Sequence, residues 1–448
     1  MTVRDRALPP VVTPASRLDP YPLYRMLRDS SPVHWDEETR SWYVSRRDDM
    51  VELLRDPRLG AHTYPDWVHH LPPPERRDVV PVEDHLARWP VFSDRPAQHV
   101  LRRRLQPALS RTAVAPMGEA IGEITRSLAR GLGEGPADLL TGFARPAATW
   151  TLSRLLGVSP EEDGPRLVRW SDALVRYLGS TGVDVRLAGA ARVAVEELTG
   201  YVVSRMLTDP VTPVAQALAR ALEGEETVEL DDVVAMVAQL VTGGVEPTAT
   251  ATCVMALRHA QSPQTATPGT DTRAQAPVGP DAPADGVWAD VQVEEALRFD
   301  PPFHFAPREV KEDFHYRGHS FVTGQRVVLI LASAGHDTAG GEATSRCPVS
   351  GATGASDGAG RPPVAKAERA TDHLAFGRGR HYCLGASPAR LHLRMAWLAL
   401  AEARVLERVD AAAVERIPDF GMTSFRACPL RPAREMSDRS GRGRRSGR

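Results

Sequence analysis

The feature that most constrains this chain is ten residues long: Phe376-Gly-Arg-Gly-Arg-His-Tyr-Cys383-Leu-Gly385. A cysteine stands at its end, and the apolar periodic stretch from Leu384 to Val405 reads as the helix that follows. Backbone N–H groups at a helix start favour negative charge, so the cysteine is placed to become a thiolate. Arg378, Arg380 and His381 add positive charge beside it. Gly377, Gly379 and Gly385 let the backbone turn tightly and approach a flat partner closely. Phe376 supplies an apolar shield that limits water around the sulfur. The pattern points to a thiolate that ligates a metal.

The other cysteines, Cys253, Cys347 and Cys428, form no Cys-x-x-Cys pair. They exclude a disulfide framework and a structural zinc site and suit a reducing compartment. The net charge of -2 gives no support to nucleic-acid binding, which needs a strongly basic face. The start of the chain lacks an apolar core of signal length. The longest apolar run, Val233 to Leu240, is too short to span a bilayer and is followed by Gly, Glu and Pro. A cytoplasmic protein is expected, with no membrane and no nucleic-acid partner. No Walker-type loop and no Gly-x-Gly-x-x-Gly after a strand occurs, so no Rossmann-type flavin or nicotinamide site is expected.

Periodicity predicts a mainly α fold with small β-sheets. Helices are expected over Pro22 to Arg28, Asp48 to Arg55, most of Gln98 to Leu222, and Val291 to Arg298. One long helix over Val228 to Arg258 is interrupted at Gly243, Gly244 and Pro247. Strands are expected at Trp42 to Ser45 and between Glu309 and Leu331. Residues 60–96 read as a long loop of the kind that covers a site. Residues 262–286 and 338–366 read as low-complexity insertions. Residues 1–436 form one domain, and 437–448 form a disordered arginine-rich tail.

The Cys383 segment resembles the haem-binding loop of cytochromes P450, Phe-Gly-x-Gly-x-His-x-Cys-x-Gly, at every fixed position. Further likenesses extend it over most of the chain. Glu295-Ala-Leu-Arg298, followed by Pro301-Pro302 and Arg308, looks like the family's structural Glu-x-x-Arg. Its third member is expected among Arg346, Arg361 and Arg369. His99 and Arg103, after Asp94-Arg-Pro96, resemble the His-x-x-x-Arg of the helix that borders the haem. Asp19-Pro-Tyr-Pro-Leu-Tyr24 and Trp42-Tyr-Val resemble the entry segment of bacterial members. The resemblance implies the P450 fold and haem b with Cys383 as axial thiolate ligand to iron. It also implies that His99, Arg103, Arg308 and His381 hold the propionates. The substrate pocket is then expected at Gly243, Gly244, Phe303, Phe305, Ser424 and Phe425.

One motif departs from the pattern. In Gly243-Gly-Val-Glu246-Pro247-Thr248, Glu246 fills the family's acidic position, but Pro247 replaces the threonine that helps deliver protons. Proline has neither hydroxyl nor N–H. Three readings stay open here: Thr248 takes over that role, the substrate or an ordered water supplies the hydroxyl, or the proline accommodates a helix already distorted there. The resemblance implies a monooxygenase of secondary metabolism acting on a natural-product-like molecule. Electrons would come from a ferredoxin and ferredoxin reductase docking near Arg378 and Arg380. Pro247 keeps open two alternatives: oxidative coupling without oxygen insertion, and a haem-binding protein without turnover.

Overall fold

The computed structural model describes residues 10–61, 71–178, 184–224, 228–261, 287–337 and 373–433. The two low-complexity stretches, Cys347, the arginine-rich tail, and Arg346, Arg361 and Arg369 lie outside them. Among the described residues, helices dominate and the strands are short. The largest sheet runs in the order Val33–Asp36, Ser41–Val44, Arg326–Ile330, Phe305–Val310, Leu59–Gly60. Only Ser41–Val44 and Arg326–Ile330 pair in parallel; the other neighbours are antiparallel. A two-stranded pair, Glu415–Arg416 with Phe425–Ala427, closes the C-terminal side.

The helix Leu230–Gly244 runs through the main core, with Val233, Val234, Met236, Val237 and Val241 all buried. A helix that is apolar on every side belongs inside a protein. A second core joins Glu246–Gln261, Val287–Phe299 and Ala386–Glu402 through Val254, Met255, Val293, Leu393 and Trp397. Among the described residues, no helix is long and apolar enough to cross a membrane.

One expectation is corrected, and the expected interruption of the central helix is located. Residues 60–96 are not a structureless loop, because Pro73–Leu86 forms a helix. Its prolines at 73 and 74 occupy the first turn, where a missing N–H costs nothing. Val79, Val82 and Leu86 recur at helical spacing and are buried. The abundance of proline, histidine and tryptophan masks that stripe. The long central helix is two helices, Leu230–Gly244 and Glu246–Gln261, divided at Val245. Pro247 is therefore the second residue of a new helix rather than a disruption inside an old one. Val245 carries the ladder across the break: its N–H reaches the Val241 carbonyl at 3.3 Å, and its carbonyl accepts the Ala249 N–H at 3.0 Å.

Candidate active site

The Cys383 turn is held by its own backbone. The Cys383 N–H donates to the Phe376 carbonyl at 2.9 Å, and the Gly377 N–H donates to the Leu374 carbonyl at 2.8 Å. Gly379 is the position that admits no other residue. Its φ is +73°, and a Cβ there would lie 2.7 Å from the carbonyl oxygen of Leu54. Gly385 precedes the helix Ala386–Glu402 and places its N–H on the Cys383 sulfur.

Cys383 is accessible at its surface although it sits deep among protein atoms. Burial pushes its thiol pKa up, while the Gly385 N–H, Arg102 and Arg390 act in the opposite direction. The positive neighbours differ from those expected. The Arg380 guanidinium donates to the carbonyls of Asp56, Pro57 and Leu59 and lies 3.8 Å from Asp94. Arg102 instead reaches the Tyr382 carbonyl at 2.5 Å, and Arg390 reaches the Tyr382 hydroxyl at 3.2 Å. Only tertiary packing reveals these two arginines, which come from other turns of the chain.

Of the expected propionate partners, Arg308 and His381 lie close enough to act on each other electrostatically. Arg308 is buried at 4% exposure, and among the described residues its guanidinium donates only to the carbonyl of Pro307, at 2.8 Å. Burial pulls its pKa down to about 10, partly offset by Asp94. His381 is otherwise engaged: its ring nitrogens lie 3.0 Å from the Pro90 carbonyl and 3.0 Å from Asp94. Burial lowers its pKa and Asp94 opposes that. His99 and Arg103 lie on the exposed side of the helix Pro96–Leu105. Arg103 lines a surface hollow with Arg104 and Arg220.

On the other side of the core, Glu246 accepts two hydrogen bonds from Arg145, Nε to Oε1 at 2.9 Å and Nη2 to Oε2 at 3.0 Å. Arg145 begins the helix Arg145–Leu156, directly after a wide turn over Leu140–Ala144. No sequence signal pairs residues a hundred positions apart. Thr248 is buried, and its carbonyl accepts the Thr252 hydroxyl at 2.9 Å.

The expected pocket residues divide. A Cβ on Gly243 would meet open space, whereas one on Gly244 would meet Leu152 at 3.1 Å. Gly244 therefore serves helix packing. Phe303 is 40% exposed and pairs with Met422 across an isolated bridge. Phe305 packs with Phe420, ring centroids 4.9 Å apart, and Phe425 is buried in the second core. Phe425 is a core residue, whereas Phe305 is half-buried. Ser424 lines a cavity of about 280 Å³ with His304, Met422, Thr423 and residues 17–21. Three of its lining residues donate hydrogen bonds to buried Asp300: Tyr21 at 2.8 Å, Thr423 at 2.5 Å and Arg416 at 2.8 Å. Glu295 and Arg298 form a two-point ion pair, both contacts at 3.1 Å.

These residues fit a haem. Among the described residues, no three His, Cys, Asp or Glu side chains are grouped to hold a metal. A metal bound at Cys383 must therefore bring its other ligands with it, as a porphyrin iron does. Metal ligation also supplies what burial denies the sulfur, because a coordinating thiol is deprotonated. Among the described residues, no carboxylate pairs directly with the buried Arg308, and a propionate provides one.

No family model matches the chain. It is similar to the putative cytochrome P450 YjiB of Bacillus subtilis, 26% identical over 417 residues that cover 91% of this chain and 93% of that protein. It is also similar to the vitamin D(3) 25-hydroxylase of Pseudonocardia autotrophica, 29% identical over 84% of each. The fold matches that of the epothilone B-bound cytochrome P450epoK with a TM-score of 0.75, over 94% of this chain and 100% of that one, at 21% identity. A glycine-enforced cysteine turn at a helix start, a buried arginine without a carboxylate partner among the described residues, and relatives along nearly the whole length converge: this chain resembles the cytochromes P450, oxidoreductases of the monooxygenase class that carry haem with a cysteine thiolate as axial ligand.

Proposed function

We propose that Cys383 is the axial ligand and that the enzyme transfers an oxygen atom from dioxygen to a small natural-product-like substrate. The observation that carries the reading is the Cys383 turn, in which backbone bonds and Gly379 hold one sulfur at the start of a buried helix. The haem supplies dioxygen activation and oxidation of the bound substrate. Arg308 anchors a propionate, and Phe376 limits water at the sulfur.

Glu246 and Thr248 handle protons on the opposite side. The two-point grip of Arg145 holds the Glu246 carboxylate at the helix break. Arg145 is 34% exposed at its side chain, so the pair joins solvent to the interior. To move a proton, a Glu246 oxygen must exchange an Arg145 N–H for a water. Thr248, buried one residue beyond Pro247, offers the hydroxyl that Pro247 lacks. The open face of Gly243, with Phe303 and Ser424, borders the substrate. Relatives that act on vitamin D and epothilone-type molecules support a bulky apolar substrate. A ferredoxin and its reductase supply electrons. With Arg380 tied into the protein, Arg378 is the loop's candidate docking cation, and reduction should slow as salt rises.

The test is the absorption spectrum of the reduced, carbon-monoxide-bound protein beside that of Cys383→Ala. A strongly red-shifted Soret band in the wild type and its loss in the variant are expected. A histidine-like band in the wild type would sink the assignment. Pro247 favours a second reading, oxidative coupling without oxygen insertion. Heavy-oxygen labelling separates the two: label in the product supports oxygen insertion, and an unlabelled, dehydrogenated product supports coupling.

A further inference from the structure

Behind the cysteine turn lies a polar cluster that the reaction as described does not use. Glu294, next to the Glu295 of the structural pair, is 6% exposed. Its carboxylate accepts from Arg390 Nε at 2.6 Å and Nη2 at 3.0 Å, and from His373 Nε2 at 2.9 Å. The Ala375 N–H donates to His373 Nδ1 at 3.2 Å, so Nδ1 accepts and Nε2 carries the proton given to Glu294.

Every part of the Arg390 guanidinium is employed. Two nitrogens grip Glu294, and the third donates to the Tyr382 hydroxyl at 3.2 Å. Its face lies 4.4 Å from the ring centroid of Phe376. Phe376 and Tyr382 are the residues that bracket the sulfur: one accepts the Cys383 N–H through its carbonyl, and the other precedes Cys383 in the chain. Lysine offers neither a planar face nor a fork of donors.

We propose that Arg390, anchored by Glu294 and His373, is a positioning residue that fixes Phe376 and Tyr382 around Cys383 and sets the charge felt by the thiolate. The proposal rests on Cys383 being the ligand. Removing the Arg390 charge leaves the sulfur and iron in more negative surroundings, which favours the ferric state. Removing the Glu294 charge does the opposite. A purely structural anchor would not give shifts of opposite sign.

The experiment uses purified haem-loaded protein with Arg390→Gln, Arg390→Lys and Glu294→Gln. Reduction potential is measured by dye titration, with the fraction of red-shifted carbon-monoxide band and the denaturation midpoint. Arg390→Gln is expected to move the ferric-to-ferrous equilibrium roughly tenfold toward ferric, about 59 mV for one electron. Glu294→Gln is expected to move it the other way. Arg390→Lys should hold the potential closer to wild type yet lose part of the red-shifted band, because it keeps the charge and loses the grip. Shifts of the same sign in the two glutamine variants, or none, would overturn the proposal. If Arg390→Gln does not fold, the near-isosteric Glu294→Gln still decides by its sign. A wild type without the red-shifted band would refute the ligand assignment itself, whereas a wild-type band with unmoved variants refutes only the role of Arg390.

Discussion

The cysteine turn and the break in the central helix are both interruptions made by glycine and proline, yet they are built in opposite ways. The turn is dictated from within: Gly379 has a left-handed backbone and a carbonyl pressed against it, and neighbouring N–H groups close the loop. The break is dictated from outside. Gly243 faces open space, Pro247 sits where a helix tolerates proline, and the groups that define the site, Arg145 and Leu152, come from another helix. The ligand role we propose for the turn requires one atom held at one place, whereas the proton-handling role we propose for the break requires bonds that exchange.

The contrast is tested most strongly by placing alanine on each side. Gly379→Ala must bear roughly 1–2 kcal/mol for the left-handed backbone, and the overlap with the Leu54 carbonyl adds to it. A clear fall in denaturation midpoint and in haem content is expected. Gly243→Ala meets nothing, and alanine suits a helix better by up to about 1 kcal/mol. Its midpoint should be unchanged or slightly higher. Equal losses in the two variants would erase the distinction.

Acid should probe the cysteine side next. His392, on the helix that follows Cys383, is buried; among the described residues Thr151 is its only hydrogen-bond partner, at 2.9 Å, and Nε2 has none. Burial lowers its pKa from 6.5 to about 4. The unfolded chain therefore binds the extra proton first as pH falls. The stability tied to neutral His392 is fully present above about pH 6.5 and is lost between there and about pH 4. Between pH 7 and 5 this amounts to about 2 kcal/mol. His85 and His336, also lowered to about 4 by burial, add to the same slope. His392→Gln should flatten the unfolding free energy against pH by about 2 kcal/mol in that window, and an unaltered slope would show that His392 takes up its proton alike in the folded and unfolded chain.

The same contrast explains what the sequence disclosed. The helix-rich fold with its small sheets, the cysteine turn and the Glu295–Arg298 pair are local patterns, three to ten residues long, whose geometry follows from the spacing itself. Arg145, Arg102 and Arg390 act through contacts across the fold, and one arginine among many carries no mark of its partner. His99 and Arg103 fit a motif, and both side chains are exposed on the helix that carries them. Phe425 shows the limit of reading a pocket from apolar residues, because packing in the second core satisfies the same side chain.

The smallest expected effect concerns Pro247. As the second residue of Glu246–Gln261, it gives the folded helix a preset φ and removes freedom from the unfolded chain. Pro247→Thr should therefore cost only about 0.4–1 kcal/mol. It restores a hydroxyl beside Glu246, where Arg145 holds the carboxylate. If Thr248 already supplies the needed hydroxyl, the share of reducing equivalents that reaches product should stay within about twofold of wild type, below the factors general acid–base groups contribute. If that share rises strongly while stability changes little, Pro247 limits proton delivery, and Thr248 does not do the work assigned to it. Measuring peroxide release alongside product separates these outcomes, because a better proton path lowers one as it raises the other.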